Sequence, residues 1–176
     1  MGWLMSVKAK KAGRKTQSER REALISELWG DDLPSIPIWN RHDHDGYATI
    51  PRTLPHVSRI LDDLSGSGAP LSQVYTALWC RVSDEGFIEI RDKESLAYES
   101  GFSGQRAVTT WLGRMKKLQE LGFISCRPGA SGDYQYILLI HPLVVIKSIY
   151  ENEQRAKDQR YHALAARIIE VGASWS

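Results

Sequence analysis

The sequence has only two cysteines, Cys80 and Cys126, far apart in the chain. That count excludes a disulfide scaffold, and with no Cys-x-x-Cys pair a zinc finger is excluded as well. Each cysteine sits in an apolar pattern and reads as a buried thiol of a reducing cytoplasm. No run approaches the roughly 20 apolar residues needed to cross a bilayer, so no membrane is expected among the partners. Met1 to Met5 is too short for the apolar part of a signal peptide, and its charges follow rather than precede it. No phosphate loop is present: Gly66-Ser67-Gly68 follows a helical pattern and no Gly-Lys-Ser/Thr ends it. No Gly-x-Ser-x-Gly elbow is present either. His42-Asp43-His44-Asp45 invites a metal, but the two histidines are two apart, run into Gly46 and have no visible third ligand. That stretch reads as a polar turn. His141-Pro142 sits at a strand end, where a structural role is the default. An enzyme, a cofactor and a metal site are therefore not expected.

Net charge is also small, a formal +2. Its distribution is more informative. Residues 1–21 hold Lys8, Lys10, Lys11, Arg14, Lys15, Arg20 and Arg21 against Glu19 alone, a net +6, so the remainder sums to −4. Basic charge gathered at one end is typical of arms that bind nucleic acid. A solvated, disordered tail is the alternative.

What is present falls into four parts. Residues 1–16 form the basic arm. Residues 17–69 form a helical extension with an irregular middle. Ser18 to Trp29 reads as a helix stopped by Gly30, and Pro34, Pro37, Pro51 and Pro55 break up the next stretch. Tyr47 to Ile50 is a short strand candidate. Leu54 to Leu64 is an amphipathic helix with Val57, Ile60, Leu61 and Leu64 on its buried stripe. Residues 70–142 form the central domain, and residues 143–176 a C-terminal helix over Leu143 to Val171. That helix has apolar ends and an almost wholly polar middle from Glu151 to Arg160.

The central domain carries the specific signal. Leu71 to Val82 has Val74, Tyr75, Leu78, Trp79 and Val82 at helical spacing, and Asp84-Glu85-Gly86 ends it. Phe87 to Ile90 is a short strand pattern. A second helix through Leu96-Ala97-Tyr98-Glu99-Ser100 ends at Gly101, a residue suited to the left-handed turn. Ser103 is expected to cap the helix that follows, Gln105 to Leu121. Ala97, four residues before Gly101, leaves room for two helices to approach. Phe123-Ile124-Ser125-Cys126 is a second strand pattern. Arg127 to Asp133 is a Pro/Gly turn, and Tyr134 to Ile140 a third strand.

This order resembles the winged-helix family, over roughly residues 70–142. The resemblance lies in Leu78-Trp79, Asp84-Glu85-Gly86-Phe87-Ile88, Leu96-Ala97, Gly101-Phe102-Ser103, Trp111-Leu112 and Leu118-Gln119-Glu120-Leu121-Gly122-Phe123-Ile124. It is similar to the modules of plasmid replication and maintenance proteins. The resemblance implies an α+β fold: a winged helix-turn-helix core with N- and C-terminal helical extensions. It also implies that the helix from Gln105 enters a major groove.

That helix separates into faces at 100° per residue. Val108, Trp111, Leu112, Met115 and Leu118 form the apolar side. Arg106, Thr109, Thr110, Gly113, Lys116 and Lys117 form the other. Arginine suits guanine O6/N7, threonine methyls suit thymine, and lysine suits phosphate. Gly113 removes bulk from the exposed face at a cost of about 1 kcal/mol of helix propensity. Ser103, Gln105 and Arg114 complete the helix's expected contacts, and Arg127 is the wing residue. A solvated basic helix face is the bland alternative.

The expected work is sequence-specific binding of double-stranded DNA, as a regulator of transcription or of plasmid replication and maintenance. The alternative is a protein-interaction module docking into a larger nucleoprotein complex without reading bases. A homodimer through Leu143 to Val171 is expected, because those apolar ends exceed what a small winged helix covers.

Overall fold

A computed structural model describes residues 17–152 and 155–175. The expected basic arm, residues 1–16, lies outside the described residues. The chain divides into two units, residues 1–46 and 47–176.

In the first unit, helix α1 spans 17–29. A 3-10 turn follows at Gly30–Ser35. None of the described residues of this unit is buried. The turn at residues 40–46 is held by its own polar groups. Asn40 Nδ2 donates to Asp43 at 2.7 Å, the His42 amide donates to Asn40 Oδ1 at 3.0 Å, and His44 Nδ1 lies 2.9 Å from the Asn40 carbonyl. Among the described residues no group of three His, Cys, Asp or Glu side chains is placed to hold a metal.

The second unit is α+β. Its elements are α2 (Leu54–Ser65), α3 (Ser72–Trp79), β1 (Phe87–Glu89), α4 (Lys93–Glu99), α5 (Ala107–Glu120), β2 (Ile124–Gly129), β3 (Gly132–Leu139), α6 (Pro142–Asn152) and α7 (Gln159–Val171). Proline early in α2 suits a position whose N–H has no partner. Its apolar stripe is as the spacing predicts: Val57, Ile60 and Leu61 are buried and Leu64 packs beside them. Asp62 on α2 also secures the next helix. Its Oδ1 accepts from the amides of Leu71 at 2.7 Å and Ser72 at 2.8 Å, two donors that the start of α3 leaves free.

The strands form one antiparallel sheet in the order β1-β3-β2. Ile88, Ile137 and Cys126 stand side by side across it and face the core. Against them pack Tyr75, Leu78, Leu96, Trp111, Met115, Leu118 and Phe123, all fully buried. Tyr75 meets Phe123 edge to face, with ring centroids 5.7 Å apart. Burial pushes the Tyr75 hydroxyl up to about 12.

Several expectations need correction. Residues 47–50 form no strand, because no neighbouring strand pairs with them. The stretch Leu143 to Val171 is two helices rather than one. Asp158 accepts from the Tyr161 amide at 3.0 Å and so starts α7 afresh. The apolar ends that suggested a dimer through this region are used internally: Val145, Ile146, Ile149, Leu164 and Ile168 are buried in the unit's own core, leaving Val144 and Ile169 exposed. Asp63 on α2 fastens α7 from outside, pairing with Arg160 at 2.9 Å and also with Arg155. Finally, Cys80 is exposed, and only Cys126 is a buried thiol.

Among the described residues, no helix is long and apolar enough to cross a membrane.

Candidate nucleic-acid interface

Helix α5 is positioned at both ends by the same device. Helix α4 closes with the Gly101 amide donating to the Tyr98 carbonyl and the Phe102 amide to the Ala97 carbonyl. Gly101 has φ +84°, and a Cβ there would also crowd Gln73 Oε1 at 3.2 Å. Helix α5 closes identically: Gly122, at φ +81°, donates to Gln119, and Phe123 to Leu118. Each glycine therefore delivers a phenylalanine toward the core while reversing the chain. Buried Ser100 satisfies its hydroxyl on the Leu96 carbonyl at 2.7 Å.

A second clamp lies outside the turn. Arg81, just after α3, donates through Nε to Glu99 Oε2 at 2.8 Å and through Nη2 to the other carboxylate oxygen. This fork ties α3 to the end of α4. The hydrogen bond from Arg81 holds the Glu99 carboxyl below its ordinary range.

The start of α5 differs from the sequence expectation. The cap position is Arg106, not Ser103, and no side chain caps the helix. Gly104 extends the turn, and its carbonyl accepts from the Ala107 amide at 3.1 Å. Ser103 and Gln105 are consequently exposed turn residues. Asp92 caps α4 instead, accepting from the Ser95 amide at 3.0 Å.

On α5 the apolar side is buried as expected at Trp111, Met115 and Leu118, with Val108 and Leu112 partly buried. Arg106, Thr109, Gly113 and Lys116 are exposed, and Thr110 and Lys117 half-buried. Arg106 and Lys117 fall on one line of the helix, about 16 Å apart along its axis. Neither has an ion-pair partner among the described residues. Lys116 differs, because Glu120 pairs with it at 3.9 Å. Gly113 has nothing within 4 Å of where a Cβ would stand, so packing does not require glycine there.

Arg114 does not join this face. It leans toward the α2–α3 linker, where Nη2 donates to the Gly68 carbonyl at 3.4 Å. Its Nε is buried without a hydrogen-bond partner among the described residues.

The expected wing loop is mostly strand. β2 continues to Gly129 and β3 begins at Gly132, so only Ala130 and Ser131 form the turn. Gln135 closes it, accepting from the Ser131 amide at 2.7 Å. A register shift between Arg127 and Gly129 absorbs Pro128. Arg127 is exposed, in a row with Tyr136 and Glu89 across the sheet. The Lys93 ammonium, absent from the sequence expectation, fills the space a Cβ on Gly132 would need. It brings the start of α4 to the hairpin tip. The sequence gives no signal for this contact, nor for Glu120 as a neutralising neighbour of Lys116.

The structure thus gathers Arg106, Thr109, Thr110, Gly113, Lys116 and Lys117 on one helix face. It places Ser103 and Gln105 at the approach to that face, Arg127 on the hairpin, and Arg114 elsewhere. No family model, curated protein or solved structure matches the chain.

Proposed function

We propose that residues 70–142 are a winged helix that binds double-stranded DNA through the exposed face of α5. The work would be regulation of transcription or of plasmid replication and maintenance. One observation carries the reading. Arg106 and Lys117, neither with an ion-pair partner among the described residues, stand in line on one face of α5, which also carries Thr109, Thr110, Gly113 and Lys116. A major groove is about 12 Å wide. A line of about 16 Å lets Arg106 meet base edges while Lys117 reaches a phosphate strand. Lys93 and Arg127 on the hairpin side supply further phosphate contacts.

Selection of bound sequences from a random duplex pool tests this. An enriched site is expected. On that site Arg106→Ala costs about 1–3 kcal/mol and relaxes preference at one base pair. A folded Arg106→Ala protein with unchanged affinity for the site defeats the assignment.

A second reading has its own observation. The outer face of the sheet exposes Phe87, Tyr136 and Leu138, with Phe87 stacked on Tyr136 at 6.3 Å. A clustered apolar patch of this kind favours protein contact, as in a module docking into a larger nucleoprotein complex. Retention on nonspecific duplex that falls steeply with salt supports the DNA reading; absence of retention at any salt supports this one.

A further inference from the structure

The tip of the β2–β3 hairpin does not define itself. Two-residue loops favour Asn-Gly, Asp-Gly or a leading glycine, and Ala130-Ser131 is none of these. Such a tip needs a hold from elsewhere, and the register shift supplies one. Between the pairs Arg127↔Tyr136 and Gly129↔Gly132, β2 has one residue, Pro128, while β3 has three, 133 to 135. Gln135 lies in that excess and is only 7% exposed. A buried amide left without partners costs about 1–3 kcal/mol, and this one has three. Its Oε1 accepts from the Ser131 amide at 2.7 Å, and its Nε2 donates to the Tyr136 hydroxyl at 3.2 Å and to Glu89 Oε1 at 3.4 Å. Turned over, the amide would set its own N–H groups against that of Ser131, so one orientation is fixed.

Gly129 makes the room for it. A Cβ there would stand 2.2 Å from Gln135 Oε1 and 2.6 Å from its Cδ. The Gly129 backbone lies outside the left-handed region, so conformation does not demand glycine at that position. We infer that Gly129 and Gln135 form a lock on the hairpin tip, and that Gln135 is a positioning residue for the cations beside it. Arg127 stands at the near end of the register shift, and the Lys93 ammonium lies against Gly132. The positioning role rests on the duplex-binding reading; the lock does not. A tip held before binding has less freedom to lose on the duplex. The chemistry of the lock is directional. It needs an acceptor toward Ser131 and a donor toward Glu89. Glutamate at 135 keeps the acceptor and sets a second carboxylate against Glu89, whereas leucine supplies neither.

The test is hydrogen exchange of the Ser131 amide in the full chain, followed by NMR under conditions where every variant is folded. Gln135→Leu, Gln135→Glu and Gly129→Ala are each expected to speed that exchange at least about tenfold, while amides of α3 and α5 keep their protection. Glu89→Gln/Gln135→Glu exchanges the two groups, restores a donor between two acceptors and recovers the protection. Ser131 protection that survives Gln135→Leu, or a paired variant no better than Gln135→Glu alone, overturns the lock. On nonspecific duplex, Gln135→Leu and Gly129→Ala are expected to bind at least about threefold more weakly than wild type. Their salt slope is unchanged because no cation is removed, and the paired variant recovers affinity. Lost protection with wild-type affinity overturns the positioning role. A wild type with no duplex affinity defeats the DNA reading and the positioning role with it, while the exchange data still decide the lock.

Discussion

Arg114 donates to the carbonyl of Gly68, 3.4 Å away and on the far side of α3 in sequence. A cation on α5 is thereby held by the fold and removed from the face that Arg106 and Lys117 occupy. The two kinds of basic residue should separate in a salt titration of duplex binding. Lys117→Ala is expected to weaken all duplexes by a similar factor and reduce the salt slope by about one unit. Arg114→Ala should leave the slope unchanged and lower the melting temperature instead. An equal loss of slope in both variants would falsify this division of labour.

Gly113 separates the needs of folding from those of binding. Open space surrounds its missing side chain. Gly113→Ala should therefore stabilise the protein by up to about 1 kcal/mol, the ordinary helix-propensity gain. If the duplex approaches this face closely, the same variant loses affinity. A chemical-denaturation curve and a binding isotherm on one preparation give both numbers. Tighter folding with unaltered binding would place the duplex away from Gly113.

The Arg81–Glu99 fork makes part of the stability depend on pH. The Glu99 carboxyl is held below its ordinary range by Arg81. A carboxylate depressed by folding contributes stability above its unfolded value, about 4.3. That contribution fades as pH falls through the lower folded value. Glu99→Gln should thus destabilise at pH 7 and differ little from wild type in strong acid. Arg81→Met should behave the same way. A difference between Glu99→Gln and wild type that persisted unchanged in strong acid would show that the carboxylate charge is irrelevant.

The two thiols should react at very different rates. Cys80 is exposed, whereas burial pushes the Cys126 thiol up to about 11. At pH 8 a thiol of that kind is thiolate only about one part in a thousand. A disulfide reagent should release one equivalent quickly from native protein and the second only on unfolding. Cys80→Ser should abolish the fast phase. Two fast equivalents would mean that the sheet opens far more readily than its packing implies.

How legible these features were depended on whether their cause was local. The turns at Gly101 and Gly122 are local events of backbone conformation, and the element order of the central domain follows from them. The buried side of α5 followed from periodicity alone. Pro128 and Gly129 read as a loop because proline breaks most strands, yet β2 is an edge strand with a register shift, where proline is tolerated. Asp158 was one charge in a polar run until its carboxylate met the Tyr161 amide and began a new helix. The position of Arg114 depended on a carbonyl 46 residues away, which no spacing rule reaches. The exposed and buried sides of α5 were thus readable, but which of its charges have ion-pair partners was not.

The attachment of α7 to α2 has a consequence for the chain as it is made. The stripe of α2 is covered partly by α7 and fastened through Asp63 to Arg155 and Arg160, more than 90 positions later. During synthesis α2 leaves the ribosome long before its partner does. Val57, Ile60 and Leu61 must wait, incompletely covered, while the whole sheet and α5 are being produced. A chaperone that recognises short apolar helices has its natural opportunity in that interval, and a ribosome stall between β3 and α7 would prolong it.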